Sequence, residues 1–205
     1  MKNFFKQLWR WVRWPLIALL LVYAGIVIYF IPAVNERDRA RAAIAYIQAQ
    51  HITLSDVMGD NLPSVPYEPE NDATVAGLDK NNNGIRDDVE LAIFKLHPDS
   101  ARIRAAELQY ALALQLMITQ VFDSTTWKAA AQEVSRGYAC IGDTSPRTNL
   151  KTHLQNTDTL TNEVQDLVLD NTIRKNAYNT AYDFTTGYGD LDIYECDIDL
   201  SSLPN

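Results

Sequence analysis

RIRAAELQYALALQLMITQVF, residues 102–122, is the stretch whose reading decides the fold. A helix with one wet face keeps its apolar residues on a single stripe. The second half of this segment is instead apolar almost all round, so the helix is covered on every side. Lipid or other helices would cover it, and Gln109, Gln115 and Gln120 argue against lipid, where an unpaired amide is costly. The segment therefore reads as the buried centre of a helical bundle.

Its neighbours read as helices too. Pro98 closes DDVELAIFKLH, residues 87–97, whose acidic first turn suits the helix dipole, and Asp99 or Ser100 caps the central helix. Asp123 and Ser124 cap TTWKAAAQEVSRGYAC, residues 125–140, and a turn over 142–146 leads to a segment from about Arg147 to Gln155. A long helical pattern follows over residues 158–184: Leu160, Val164, Leu167 and Val168, then Ile173, Ala177, Tyr178, Ala181 and Tyr182, with the stripe slipping at Asn171. No repeat of solenoid spacing and few alternating β-branched runs occur. The fold class is all-α, a bundle of four to six helices.

The N-terminal part differs in kind. Residues 15–34, PLIALLLVYAGIVIYFIPAV, carry no charge, and 20 residues at about 1.5 Å each cover the ~30 Å of bilayer hydrocarbon. Before them lies a tail, residues 1–14, with Lys2, Lys6, Arg10, Arg13 and three tryptophans, which places the N-terminus in the cytoplasm. Arg37, Arg39 and Arg41 after the span narrow the basic asymmetry. A cleaved signal peptide is the competing reading, but the apolar run exceeds an ordinary h-region and no A-x-A site follows. Residues 35–58 read as an amphipathic stalk helix with Ala40, Ala43, Ile44 and Ile47 on one stripe, and residues 59–78, with Pro63, Pro66 and Pro69, as an extended connector or a strap across the domain. The exterior domain spans residues 79–205.

Beyond residue 35 the chain has 26 acidic and 18 − 4 = 14 basic side chains, a net charge of −12 that repels nucleic acid and anionic lipid. Cys140 and Cys196, the only cysteines, most simply form one disulfide in an oxidising compartment, which a domain outside the cytoplasm occupies. A Cys140 thiol acting with His153 has nothing else to recommend it. His51, His97 and His153 are scattered and belong to no H-E-x-x-H; His97 reads as a helix-end residue, and Tyr178 and Tyr182 as core.

The oxygen-rich stretch is GLDKNNNGIRDDVE, residues 77–90. Calcium takes six to eight oxygens, and a 12-residue loop supplies them from positions 1, 3, 5, 7, 9 and 12. Counted from Asp79, these are Asp79, Asn81, Asn83, Ile85 through its carbonyl, Asp87 and Glu90, with Gly84 at position 6, where the chain turns through positive φ. A solvated Asn/Asp turn is the plainer alternative. The segment resembles the EF-hand loop, and more closely the half-EF-hands of dockerin and thrombospondin type 3 modules seen in bacterial exported proteins. The resemblance covers residues 79–90 and implies calcium as cofactor. No second loop and no regular entering helix accompany it, so a structural ion of about 10⁻⁴ to 10⁻³ M affinity is expected. The acidic segment 189–200, with Asp190, Asp192, Glu195, Asp197 and Asp199, lacks this register and reads as a solvated tail or a weak cation contact.

The expected function is that of a single-pass protein of the bacterial inner membrane with a periplasmic, calcium-binding helical domain that contacts another protein. An inhibitor or immunity partner of an exported toxin is the alternative, and an envelope hydrolase a further one.

Overall fold

The computed structural model describes residues 2–187 and 196–204, and those residues are helical with no strand. The elements are α1 Lys2–Ala49, α2 Leu54–Met58, α3 Glu68–Asn71, α4 Asp87–Leu96, α5 Ala101–Gln120, α6 Ser124–Asp143, α7 Leu150–Val168, α8 Thr172–Tyr182 and a 3-10 turn at Leu200–Ser202. The chain divides into two compact units, residues 1–42 and 43–205.

The first unit is helical throughout and continues through Pro15 and Pro32. Leu19, Leu20, Leu21, Val22 and Ile28 all stand exposed. This helix is long and apolar enough to cross a membrane, a property it shares with signal sequences.

In the second unit the helix expected over 35–58 is divided. It ends at Ala49, and α2 starts afresh behind Thr53, which forms a capping box with Asp56. Ile47 is wholly buried in the core with Ile44 packed against it, so the later part of the expected stalk belongs to the bundle.

α5 occupies the centre: sixteen of its twenty residues are buried, which leaves no wet stripe. It packs against α2, α4, α6, α7 and α8. Ser100 is its cap, accepting from the Ile103 N–H, and Asp123 caps α6. The α5–α6 crossing is close because small residues line it. A Cβ on Gly137 would meet the Tyr110 Cα at 2.8 Å. The two segments expected around residues 147–155 and 158–168 are one helix, α7, and the slip at Asn171 is where Asn171 caps α8.

Residues 59–78 form a strap against the bundle. A single turn, α3, interrupts it. Gln115 in α5 donates to the Ala76 carbonyl (2.8 Å), and the Arg174 guanidinium donates to the Asn71 carbonyl (2.6 Å).

Cys140 and Cys196 are joined, with Cα atoms 5.2 Å apart, which rules out a Cys140 thiol nucleophile. The bridge pins the end of the chain to α6. Next to it Asp197 is buried, not solvated. Its carboxylate accepts from Arg136 (2.8 Å) and from the Ile52 N–H (3.1 Å) and meets the His51 ring at 3.1 Å, while its N–H donates to Gln109. Asp199 caps the 3-10 turn. Asp190, Asp192 and Glu195 lie outside the described residues.

Alanine in place of glycine in a helix ordinarily gains up to about 1 kcal/mol. Gly137→Ala is expected to do the reverse and cost roughly 1–3 kcal/mol, since backbone blocks the new methyl. Urea unfolding of the full chain in micelles measures it, and a stabilised variant would show that α5 and α6 are not in backbone contact.

Candidate metal centre

The loop from Asp79 to Glu90 is shaped by its own side chains. Asp79 accepts from the N–H groups of Asn83 (3.2 Å) and Gly84 (2.9 Å), folding the first half back over its carboxylate. Asn83 Oδ1 accepts from the Ile85 N–H (2.9 Å), and Asp87 Oδ1 from the Lys80 N–H (2.9 Å). The turn runs through positive φ at Asn82 (58°) and Gly84 (84°). A Cβ at Gly84 would also meet Leu112 at 2.7 Å, so conformation and space both select glycine there. Ile85 is buried in the core, anchoring the loop from within.

The predicted donors divide into two groups. Asn81 donates to Glu90 Oε2 (2.9 Å), and Asp87 and Glu90, both buried, come in from the first turn of α4. Asn81 Oδ1 and Asp87 Oδ2 are buried with no hydrogen-bond partner. Unpaired buried oxygens are costly, so two of them in one oxygen-lined loop fit a hard cation. Burial, with smaller contributions from the charges of Asp56 and Asp87, pushes the Glu90 carboxyl up to about 7, and burial also raises that of Asp79. Both carboxylates lack a compensating positive charge of the kind an ion supplies.

Asp79, Asp87 and Glu90 do not draw together as tightly as a second trio does. Among the described residues, the one group of His, Cys, Asp or Glu whose donor atoms all lie within 4.8 Å of one another is His97, Glu107 and Glu163. A calcium cage tolerates the wider spacing: with bonds of 2.3–2.6 Å, donors on opposite sides of the ion stand roughly 5 Å apart.

The second trio joins three elements. His97 is the C-cap of α4, Glu107 lies in α5 and Glu163 in α7. The His97 Nε2 stands 3.2 Å from Glu107 Oε1 and 3.4 Å from Glu163 Oε2. Burial and the charge of Glu163 push the Glu107 carboxyl up to about 8. Sequence spacing hides this group, since its members are far apart along the chain. The available signal was a glutamate in a segment otherwise read as the bundle's centre.

Sequence reasoning also misses the anchor behind the loop. Arg86, at loop position 8, is wholly buried and donates to Asp88, to Asp170 (2.9 Å) and to the carbonyls of Leu167 and Val168 at the end of α7. Arg174, equally buried, donates to the same Asp170 (2.7 Å), to Asp72 (3.0 Å) and to the strap at Asn71. Gly77 has φ +66° and lies so close to the Arg86 side chain that no Cβ fits between them. The loop and α8 thus share the Asp170 carboxylate, and Arg174 ties the strap to it.

No protein-family model, curated protein or solved structure matches the chain.

The two guanidiniums are buried while the Asp170 side chain is 33% exposed, so removing its carboxylate leaves buried donors short of one partner, at a cost of about 1–3 kcal/mol. Asp170→Ala is expected in that range, measured by urea unfolding with calcium held constant. A cost below about 1 kcal/mol would mean that the two guanidiniums are satisfied by Asp72, Asp88 and the carbonyls alone.

Proposed function

We propose that this is a single-pass protein of the bacterial inner membrane, with its basic N-terminus in the cytoplasm and its helical domain in the periplasm. The domain holds one calcium ion at Asp79, Asn81, Asn83, the Ile85 carbonyl, Asp87 and Glu90 and acts by contacting another protein. The observation that carries the calcium reading is the pair of buried, unpartnered oxygens, Asn81 Oδ1 and Asp87 Oδ2, inside a loop whose spacing, glycine and closing glutamate all match an EF-hand-like cage. The disulfide and the long apolar helix support the compartment.

In this reading the chain's own residues have distinct tasks. Asp79 folds the loop back through two N–H groups, Gly84 makes the turn, and Asp87 and Glu90 bring carboxylates from the start of α4. Calcium held by these residues would supply the positive charge that the buried oxygens lack, ordering the loop and fixing where α4 begins. Arg86 then transmits that order to α7 through rigid hydrogen bonds.

Calorimetric titration of the full chain in micelles should show one calcium per chain, at about 10⁻⁴ to 10⁻³ M. Glu90→Gln should abolish the isotherm, and unaltered binding there would mean the cage is assigned wrongly. A separate readout covers topology. Protease admitted to the periplasm should release fragments of residues 43–205, whereas digestion by a protease confined to the cytosol of intact cells would reverse the orientation.

A further inference from the structure

We propose that His97, Glu107 and Glu163 form a second metal site, for a divalent first-row transition ion such as Zn²⁺, distinct from the calcium loop. Each donor comes from a different helix or helix end, and the three side chains meet where α4 ends and α5 and α7 pass. Zinc held by His and carboxylate donors at about 2.0–2.2 Å in tetrahedral geometry sets neighbouring donors roughly 3.3 Å apart. The observed separations from the His97 Nε2 are 3.2 Å and 3.4 Å.

Hydrogen bonding within the trio does not account for it. Both oxygens of Glu107, the His97 Nε2 and the Glu163 Oε2 are buried atoms with no aligned hydrogen-bond partner, although they approach within ion-pair range. One imidazole nitrogen carries at most one proton toward two carboxylates. Glu107 is 0% exposed, so bulk water does not reach it. A carboxylate in that position costs several kcal/mol unless it takes up a proton or a cation meets it. As ligands, two carboxylates and a neutral imidazole would carry a charge of −2, which one divalent ion offsets.

The donor chemistry separates this site from the loop. Imidazole suits zinc, iron, nickel and copper, while calcium requires six to eight oxygens. Three protein donors leave a coordination position for water or an external ligand. The trio lies nearest solvent on the side of Glu163, whose side chain is 37% exposed, and His97, 18%, against 1% for the Glu107 side chain. The backbone beneath the imidazole is fixed as well. Arg104 donates to the His97 and Pro98 carbonyls, each at 2.8 Å, and to the Val57 carbonyl at 3.1 Å.

The test uses the full chain in micelles, stripped by chelator and returned to millimolar calcium, then titrated calorimetrically with zinc chloride. One zinc per chain is expected. Glu107→Gln, which keeps the side-chain shape, should abolish it, and Glu163→Gln should weaken it by at least the roughly tenfold that even outer-shell changes produce. Both variants should keep the native helical circular dichroism and calcium response. Zinc must also raise the melting temperature of the native chain and not of Glu107→Gln. Absence of zinc uptake by the native chain overturns the site, as does native-like uptake by a folded Glu107→Gln chain. If Glu107→Gln does not fold, the half-exposed Glu163→Gln decides by the same criterion. A chain that takes up zinc but no calcium would sink the calcium reading alone.

Discussion

Burying a helix on every side withdraws its polar side chains from water, and each must then find a partner in whatever segment passes beside it. α5 shows the consequence along its length. Arg104 takes the carbonyls that end α4 and α2, Gln109 takes the Asp197 N–H, Tyr110 accepts from Gln165 of α7, and Gln115 takes the Ala76 carbonyl of the strap. The bundle's connections are thereby fixed to its axis by polar contacts that the apolar packing alone would leave free to slide. Glu107 is the exception in this series. It is the one charged acceptor on the helix, and no donor N–H satisfies it.

The two clusters are joined by one short rod. α4 begins with the last two predicted calcium donors, Asp87 and Glu90, and ends in His97. Its ten residues span about 15 Å. Whatever fixes the first turn of α4 therefore fixes the direction in which its far end presents an imidazole. Val89 and Ile93, both fully buried, hold the middle of the rod against the core, so the helix has little freedom to pivot between its ends. Arg86 adds a lateral tie. Because it reaches the last carbonyls of α7, the start of α4 and the end of the helix carrying Glu163 are bonded to each other.

Much of the fold was legible in the sequence because its signals are local. The caps at Ser100, Asp123 and Asn171 are short polar side chains standing before apolar periodicity, and the cysteine pair had a single simple solution. Where reading failed, the letters misreported their surroundings. The sequence of α7 reads as two pieces because its inward stripe passes through Thr157 and Thr161, polar residues that are nonetheless buried; Thr157 manages this by donating to the His153 carbonyl one turn back. The stalk was drawn as a unit because its stripe is continuous, yet Ile47 is packed into the bundle. Buried arginines are the hardest case. Arg86 and Arg174 are residue types usual at a surface, and their burial follows from the loop, the strap and the α7–α8 junction closing over the two guanidiniums, which share the partly exposed Asp170.

Net charge gives a reason why the two proposed cation sites would serve better than one. A domain carrying −12 beyond residue 35 resists compaction most where its carboxylates are forced inward. It meets part of that repulsion with guanidiniums, at the buried Asp197 and at the partly exposed Asp170. Neither Glu90 nor Glu107 has such a donor, and each is buried at an opposite end of α4's reach. The surroundings of the two differ in hardness: amide and carboxylate oxygens around Glu90, an imidazole nitrogen beside Glu107. An oxygen-only loop discriminates poorly against small hard ions but offers nothing special to a borderline-soft one, whereas a nitrogen donor with few oxygens does the opposite. Two inward charges at the ends of a single helix can therefore be neutralised independently, by ions that do not compete.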